Sequence, residues 1–320
     1  MKRKLKFTAL FNIAVAICLV TTALLGSMPV AAQRDVYEFV PASPESATFI
    51  SKDVETGLIS YFDMYVNGVR NSTTENTQIQ SNKASVQSVA PYVPDDAILS
   101  RIIIGLDDRQ PVPSTTTFPF SAICCLLVTY PNGQTLPMTG WLFWYDIVIT
   151  AGHVVYNSSK GGWATSITVI PGANGSSAPY GSAIGIMFAS DAAWVNNGDR
   201  DYDWALIQIS AGLGRSAGCF GLTYSNSSYV DTTVTIAGYP YEYEKTREMW
   251  YMSGNIISNT ANLLSYTIDT TEGQSGSPIY KSDNIAIGIH THGTHNGLFW
   301  ENRGTRITQA LYNYFVSFRV

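Results

Sequence analysis

The stretch Gly273-Gln274-Ser275-Gly276-Ser277-Pro278 is the most informative part of this 320-residue chain. Glycines near Ser275 on both sides permit a tight backbone turn that presents the serine side chain and the neighbouring N–H groups. A serine hydroxyl is a weak nucleophile, and it becomes reactive beside a base that a carboxylate holds in one orientation. The stretch therefore predicts that such a base and such a carboxylate lie elsewhere in the chain.

Histidine is scarce, so there are few candidates for the base. The chain has four histidines, which are His153, His290, His292 and His295. His153 stands at the end of Thr150-Ala151-Gly152-His153, directly after an apolar run, which predicts a position at the end of a strand. The other three follow Ser275 closely. His153 is therefore the expected base.

Three aspartates compete for the role of the orienting carboxylate. Asp203 opens the apolar run 203–207 and is expected on a buried, rigid strand within reach of His153. Asp199 and Asp201 lie in the polar sequence before that run, which is typical of a solvated turn. Asp203 is accordingly the predicted partner of His153.

The order His153, Asp203, Ser275 along the chain narrows the class of protein. Two other arrangements of these residue types run Asp-His-Ser and Ser-Asp-His, and the second places its serine in Gly-x-Ser-x-Gly. Position 277 is Ser, so that motif does not occur at Ser275. The order is that of chymotrypsin-like serine proteases. It predicts that Ser275 attacks, that His153 transfers protons, and that the N–H groups of Gly273 and Ser275 form the oxyanion hole.

Short apolar or alternating runs, separated by turn signals, follow one another through the rest of the chain. Strands are predicted at 123–130, 140–144, 147–150, 166–170, 204–209, 233–237, 263–267 and 285–290. This spacing predicts an all-β barrel or sandwich. The one predicted helix is the last element, where Thr308 can cap and Leu311, Phe315 and Phe318 repeat at helical spacing.

The N-terminal part has the composition of targeting and processing segments. A basic start precedes the apolar stretch 7–25, and small residues at positions 30 and 32 predict a signal peptide over 1–32. A retained membrane anchor is the alternative. Residues 33–101 are rich in Ser, Thr, Asn and Gln and are expected to be a propeptide, with solvated loops at 71–76 and 78–82. We expect a secreted, extracellular protein that leaves the membrane when its signal is removed.

Charge and cysteine content restrict the partners and the cross-links. The formal net charge is −5, with no basic stripe after the signal peptide, so nucleic acid is not an expected partner. Cys124, Cys125 and Cys219 remain after position 32, and their odd number leaves at least one thiol unpaired. Adjacent cysteines are poorly placed to pair with each other. We expect mostly buried free thiols and no cofactor.

The chain resembles the glutamyl endopeptidase family of chymotrypsin-like serine proteases over nearly all of 102–320. The matching stretches are Ile103-Ile104-Gly105, Asp107-Asp108-Arg109, Thr150-Ala151-Gly152-His153, Pro179-Tyr180-Gly181, Tyr202-Asp203, Gly238-Tyr239-Pro240, 270–278, Ile289-His290-Thr291 and 302–308. The resemblance implies two perpendicular six-stranded antiparallel β-barrels, over 102–212 and 213–320, with a short C-terminal helix. His153 and Asp203 would come from the first barrel and Ser275 from the second.

The resemblance also implies cleavage after glutamate, and less readily after aspartate. Thr270 and His290 match the family positions that bind the carboxylate of P1, the residue before the cleaved bond. An imidazole and a hydroxyl are suitable hydrogen-bond donors to a carboxylate. The backbone near Thr291 and Gly293 is expected to pair with an extended substrate.

A basic residue before isoleucine marks the position where the family's mature chain begins. Cleavage by an activating protease between Arg101 and Ile102 would free the amino group of Ile102. In ordinary chymotrypsin-like zymogens that group pairs with an Asp directly before the nucleophile, but Gln274 stands there in this chain. The resemblance implies instead that the Ile102 amino group helps to bind the P1 carboxylate.

Three alternatives stay open on the sequence alone. One is a chymotrypsin-like protease with another P1 preference, and the second is a secreted homologue that keeps the fold without turnover. The third is a zinc site at His290, His292 and His295, which is disfavoured because no carboxylate or cysteine lies among them. We therefore expect no metal, and we expect His292 and His295 at the rim of the substrate site. The expected partners are protein or peptide substrates, and the expected state is a monomer.

Overall fold

A computed structural model describes residues 47–64, 70–73, 102–295 and 299–319. The predicted signal peptide and Arg101 lie outside these residues. No helix in the described part of the chain has both the length and the apolar character needed to cross a bilayer.

The described residues are mostly strands and turns. The strands are β1 (Ala47–Asp53), β2 (Ile59–Met64), β3 (Arg70–Thr73), β4 (Gln110–Pro111), β5 (Ile123–Thr129), β6 (Thr135–Trp144), β7 (Ile147–Thr150), β8 (Tyr156–Asn157), β9 (Gly162–Trp163), β10 (Ser166–Pro171), β11 (Ala183–Asp191), β12 (Ala205–Ile209), β13 (Gly221–Leu222), β14 (Thr233–Gly238), β15 (Trp250–Asn259), β16 (Leu263–Tyr266), β17 (Pro278–Tyr280), β18 (Ile285–His295) and β19 (Trp300–Arg306). The α-helices are α1 (Gly152–Val155), α2 (Ala192–Asn197), α3 (Gly214–Ala217) and α4 (Gln309–Val316), and single 3-10 turns lie at Phe120–Ala122, Ser158–Lys160, Arg200–Tyr202 and Tyr241–Tyr243.

Six strands close into the first barrel in the order β10-β5-β6-β7-β12-β11, and β11 pairs back onto β10. Every pairing in this ring is antiparallel. Its strands carry large apolar side chains with no exposed surface, such as Trp141, Phe143 and Phe188. Burying a side chain of this size contributes about 1.5–3 kcal/mol, so closure of the ring is driven by its core.

The second barrel closes in the order β18-β17-β14-β15-β16-β19, with β19 pairing back onto β18. The predicted pair of six-stranded antiparallel barrels is therefore confirmed. Strand β13 adds to this sheet in parallel with β18, and β4 adds to it through β15. The start of the 102–212 segment thus contacts the second barrel, while the boundaries 102–212 and 213–320 stay a prediction.

The predicted C-terminal helix is present as α4. Thr308 caps it, because its hydroxyl accepts a hydrogen bond from the N–H of Leu311. The helix packs on the first barrel, where Phe315 is fully buried and lies 5.4 Å, ring centroid to centroid, from Trp204. Helices α1, α2 and α3 were not expected from the sequence because each is too short to show a helical period.

The segment before residue 102 contains ordered pairing that the sequence did not predict. Strand β1 pairs with β11 of the first barrel, β2 pairs with β1, and β3 pairs with β2. The expectation of a solvated loop was wrong at residues 71–73, which belong to β3. Polar composition was a poor guide here, since a strand can be held by backbone hydrogen bonds to a sheet edge. Residues 74–76 and 78–82 lie outside the described residues.

All cysteines in the described residues are free thiols, as expected. Cys124 and Cys125 are buried on β5, and Cys219 is half-buried. Within the residues that the structure describes, the fold is therefore held by packing and hydrogen bonds rather than by disulfide bonds.

Replacing Phe315 by Ala should lower the free energy of unfolding by about 3–5 kcal/mol, because a fully buried ring between α4 and the first barrel is lost. Chemical denaturation in a Ser275→Ala background, which prevents self-digestion, measures the change. Val316→Ala on the same helix is the control, because Val316 is only half-buried. Equal effects of the two substitutions would contradict the packing described here.

Candidate active site

His153 and Asp203 are joined at two points. Strand β7 ends at Thr150, and the chain turns at once into α1, which places His153 in the first turn. The backbone N–H of His153 donates to Oδ1 of Asp203 at 2.8 Å, and Nδ1 of its ring lies 2.8 Å from Oδ2. Both carboxylate oxygens of Asp203 thus bond to His153, which fixes the orientation of the imidazole ring.

Asp203 is held in a buried position directly after the Arg200–Tyr202 turn, two residues before β12 begins, and not on the strand itself as expected. It is 2% exposed, and its carbonyl oxygen accepts a hydrogen bond from Thr305 of the second barrel at 3.1 Å. Burial alone would raise the pKa of Asp203, but the nearby His153 charge and the two hydrogen bonds from His153 outweigh it and lower the pKa. Asp203 is therefore a carboxylate at neutral pH.

The competing aspartates have the turn positions that the sequence predicted. Asp199 is exposed, and its carboxylate accepts from the N–H of Asp201 at 3.1 Å, capping the Arg200–Tyr202 turn. Asp201 is half-buried in that turn. Of these three carboxylates, the one at Asp203 is bonded to His153.

Ser275 lies on a tight loop that two glycines make possible. Gly273 and Gly276 have φ values of +91° and +89°, a conformation that side-chain-bearing residues rarely adopt. A Cβ on Gly276 would collide with the carbonyl oxygen of Thr139, and one on Gly273 would collide with the carbonyl oxygen of Tyr239. The loop therefore packs against its neighbours so closely that only glycine fits at either position.

Some backbone N–H groups of the Ser275 loop donate hydrogen bonds within the protein, and others do not. Gln274, Gly276 and Ser277 donate to the carbonyl oxygens of Thr271, His290 and Gln274 at 3.1, 2.8 and 3.0 Å. For the N–H groups of Gly273 and Ser275, the residues that the structure describes provide no acceptor. Two free donors next to a serine hydroxyl are the arrangement that an oxyanion hole requires.

Thr139 of the first barrel holds this loop of the second barrel by hydrogen bonds, a role that no local sequence pattern predicted. Its N–H donates to the carbonyl oxygen of Ser275 at 3.2 Å, and its hydroxyl donates to that of Gly273 at 2.8 Å. The same hydroxyl accepts from the N–H of Tyr239 at 2.9 Å. Thr139 has no exposed surface, so these bonds are shielded from water.

Arg109 is a second residue whose role the sequence did not reveal. Its buried guanidinium donates to the side-chain oxygens of Gln274 at 2.9 Å and of Thr271 at 2.7 Å. It also pairs with the carboxylates of Asp107 at 2.9 Å and Glu242 at 2.7 Å. The sequence did contain one indication of this role. Gln274 stands directly before Ser275, where related zymogens have an Asp, and a buried glutamine side chain needs a hydrogen-bond partner such as Arg109.

His290 is buried beneath the Ser275 loop. It is 3% exposed, and its Nδ1 lies 2.7 Å from the hydroxyl of Tyr266. Burial is the main cause that lowers the pKa of His290, to about 3, with a smaller contribution from the charge of His153. The ring is therefore neutral at neutral pH.

Ile102 and Thr270 lie side by side. Each donates its N–H to the other's carbonyl oxygen, at 3.3 Å and 3.4 Å, and both residues are buried. The Ile102 side chain is packed so closely on Gly293 that a Cβ there would collide with it. The side chain of Asn302, within the matching stretch 302–308, donates to the carbonyl oxygens of Ile102 and Ile268 at 3.0 and 2.8 Å.

A bulge in β18, between His290 and His292, interrupts the alternation of side chains between the two faces of the strand. His290 faces Gly304 and His292 faces Arg303 across the β19 strand, so one extra residue interrupts the alternation. In a regular strand, residues two apart such as His290 and His292 would lie on the same face, and the bulge breaks this pattern. His292 is half-buried and lines the pocket with His153 and Asp203, whereas His295 is exposed.

One pocket collects most of the predicted residues. Its lining includes His153, Asp203, Gly273, Ser275, Thr291 and His292. Ser275 is 8% exposed there, and its hydroxyl donates to the carbonyl oxygen of Thr291 at 3.3 Å. Of the other predicted residues, Thr270, His290, Ile102 and Gly293 are not part of this lining and are buried. In the part of the chain that the structure covers, no group of three or more His, Cys, Asp or Glu side chains is arranged to hold a metal ion.

The fold and the comparison with known families define the class of protein. Residues 127–307 match the family model described as Trypsin. Two six-stranded antiparallel barrels, with the pocket at their junction, are the architecture of that class. The chain is a serine endopeptidase of the trypsin-like type.

Similar proteins specify the family further. A glutamyl endopeptidase of Bacillus licheniformis is 35% identical over 248 residues, which is 75% of each chain. An extracellular metalloprotease of Bacillus subtilis is 40% identical over 217 residues, covering 66% of this chain and 67% of that protein. A solved structure of a Glu endopeptidase in complex with MPD has a TM-score of 0.62 and 30% identity, covering 68% of this chain and 98% of the other. The chain belongs to the glutamyl endopeptidase family of trypsin-like serine proteases.

Replacing Arg109 by Met should lower kcat by about 10-fold or more with little change in KM, because buried Gln274 and Thr271 lose their donor beside the predicted oxyanion hole. Peptide hydrolysis and thermal unfolding are measured together. Lys281→Met, which removes an exposed ion pair with Asp283, is the control. A rise in KM alone would contradict the expected effect on the loop.

Acid should destabilise the folded chain partly through His290. Its folded pKa of about 3 lies below the ordinary value of 6.5, so between these pH values the unfolded chain binds the extra proton and stability falls as pH is lowered. In a Ser275→Ala background, His290→Gln should flatten this fall by at most about 1.4 kcal/mol per pH unit. Denaturant unfolding from pH 7 to pH 4 measures the slope, and an equal change in the control His295→Gln would contradict the assignment.

Proposed function

We propose that this chain is a secreted serine endopeptidase that cleaves after glutamate, and less readily after aspartate, with Ser275 as nucleophile, His153 as base and acid, and Asp203 orienting His153. The observation that carries the proposal is the two-point bond between His153 and Asp203 on the pocket that Ser275 also lines. A carboxylate that uses both oxygens on one histidine holds the ring in one tautomer, with Nε2 left for the nucleophile.

The chemistry runs through an acyl-enzyme. The Ser275 hydroxyl turns from Thr291 towards His153, attacks the peptide carbonyl carbon and passes its proton to Nε2. The oxyanion is stabilised by the N–H groups of Gly273 and Ser275, each of which is worth about 10²–10³ in rate. His153 then gives the proton to the leaving amine, the C–N bond breaks, and an ester on Ser275 remains. Water attacks the ester by the same route, releasing the acid and restoring the hydroxyl.

The preference for glutamate is supported by the neutral, buried state of His290. A permanent cation would be costly in an empty buried pocket, whereas a neutral imidazole is not. If the Tyr266 hydroxyl donates to Nδ1, the proton of the ring resides on Nε2, which becomes a donor for a P1 carboxylate. Thr270, which is bridged to Ile102, supplies a hydroxyl, and the backbone at Thr291 and Gly293 pairs with the substrate.

The position of Ile102 supports a direct role for its amino group after processing. The N–H of Ile102 already lies 3.3 Å from the carbonyl oxygen of Thr270 in the uncut chain. Cleavage after Arg101 by an activating protease would convert this N–H into an ammonium group beside Thr270, without moving the residue. A positive charge appears there only in the processed enzyme, so the P1 carboxylate is bound tightly only after activation.

Peptides that differ only at P1 (Glu, Asp, Gln, Lys or Phe) test the proposal. We expect the processed chain to cleave after Glu about 100-fold faster than after Gln, since only Glu has the charge to pair with the site. Ser275→Ala should reduce cleavage by about 10⁶-fold. A processed chain with one Gly added before Ile102 should lose the preference for Glu, because its amino group is displaced.

Each result separates the parts of the proposal. Cleavage after Lys or Phe would keep the protease and reject Thr270, His290 and Ile102 as its P1 site. Full Glu cleavage by the Gly-extended chain would reject the role of the amino group alone. A folded, processed chain that cleaves no peptide would favour a homologue without turnover. N-terminal sequencing of the protein in the culture medium tests secretion and the cut after Arg101.

A further inference from the structure

Strand β1 covers an edge of the first barrel that the barrel itself leaves open. The first barrel is closed between β10 and β11 by two residue pairs, Thr168 with Ile184 and Val169 with Ala183. The rest of β11 pairs on its outer side with β1, from Phe49 opposite Asp191 to Asp53 opposite Met187. Without β1, this edge would present a row of unpaired backbone N–H and C=O groups, which is a template for another strand.

An aromatic side chain anchors β1 to the barrel. Phe49 is 2% exposed, and its ring stacks on Tyr314 of α4 at 3.8 Å and meets Trp204 edge-on at 5.4 Å, centroid to centroid. Ile50 beside it is equally buried. Further along, the Lys52 ammonium donates to the carbonyl oxygen of Ala164 at 3.3 Å. The contact therefore combines an apolar anchor with a backbone ladder.

The contact lies directly behind the catalytic pair. Trp204, which Phe49 touches, is the residue after Asp203. Asp191, the ladder partner of Phe49, caps α2 by accepting from the N–H of Ala193 at 2.8 Å. Helix α2 carries Trp194, whose ring lies 6.2 Å from that of His153. Strand β1 thus supports both elements that form this wall of the pocket.

We propose that residues 47–64 are a β-strand ligand of the protease, which stays bound to β11 after the chain is cut between Arg101 and Ile102. The place of the cut rests on the proposed function. The edge of β11 then accepts one kind of occupant, an extended peptide with an aromatic side chain for the site between Trp204 and Tyr314. In this protein the occupant is the chain's own N-terminal segment. The cut breaks a peptide bond remote in sequence from β1 and removes none of the contacts described.

The test separates binding of the strand from the activity of the enzyme. A recognition sequence for an unrelated site-specific protease is inserted between Arg101 and Ile102 in a full-length Ser275→Ala chain, so that cutting requires neither natural processing nor turnover. After complete cutting at micromolar concentration, we expect both fragments to co-elute in size-exclusion chromatography and to give a 1:1 complex in native mass spectrometry. Separation of the fragments on cutting would overturn the proposal, and a 2:2 complex would assign the edge to a second copy instead.

Two aromatic residues of the segment provide matched variants. Phe49→Ala should weaken binding of the N-terminal fragment by about 100-fold, the usual effect of removing a buried ring. Tyr61→Ala on β2 is the control, because Tyr61 is 43% exposed and should change binding by less than about 3-fold. Equal effects would contradict the anchoring role of Phe49.

A second readout covers the case in which Phe49→Ala prevents folding. Amide hydrogen exchange at residues 187–191 is followed in the cut protein without either substitution. We expect protection equal to that of the uncut chain, because β1 pairs with residues 187–191 on one side and β12 pairs with residues 187–190 on the other. Loss of protection on cutting would show that the strand leaves.

Discussion

The position of Ser275 relative to His153 depends on Thr139, where the two barrels are fastened together. Asp203 and His153 belong to the first barrel and Ser275 to the loop before β17 of the second, so no single core fixes all three. Thr139 bonds to the carbonyl oxygens of Gly273 and Ser275, and its own carbonyl oxygen accepts from Thr150 at 2.7 Å, at the end of the strand that leads to His153. These buried bonds connect the Ser275 loop to the strand that leads to His153. A shift of the barrels would break both bonds from Thr139 to the loop together, which makes the geometry of the pocket a property of the junction.

Buried charge is handled in three different ways around this junction. Asp203 keeps its charge because His153 donates two hydrogen bonds to it. Arg109 keeps its charge because the carboxylates of Asp107 and Glu242, themselves partly exposed, compensate it. His290 has no such partner and is neutral instead. An isolated buried charge is costly, so each group is either paired or uncharged.

Residues that act through a local pattern could be predicted from the sequence, and residues that act through tertiary contacts could not. Strand ends and the glycines near Ser275 pointed to His153, Asp203 and the Ser275 loop, which the structure brings to one pocket. Apolar and alternating runs predicted eight of the twelve barrel strands, and β11, β15, β17 and β19 were missed. Thr139 lies in an ordinary strand, and nothing local shows that it will meet a loop more than a hundred residues away. The bulge after His290 could not be predicted from the alternation of side chains along a strand. One added residue moves every later side chain to the opposite face of the sheet. Strand β1 was missed because its partner edge belongs to a distant segment.

The three thiols of the barrels lead to a property of the whole enzyme. Burial raises the pKa of Cys125 and of Cys219 to about 12, and it raises that of Cys124 well above its ordinary value. Thiolates, not thiols, attack disulfides and react with oxidants, so these three cysteines have low reactivity in the folded state. The described barrels have no disulfide to reduce, and their three cysteines are poor targets for oxidants, so reducing agents should not weaken the folded state.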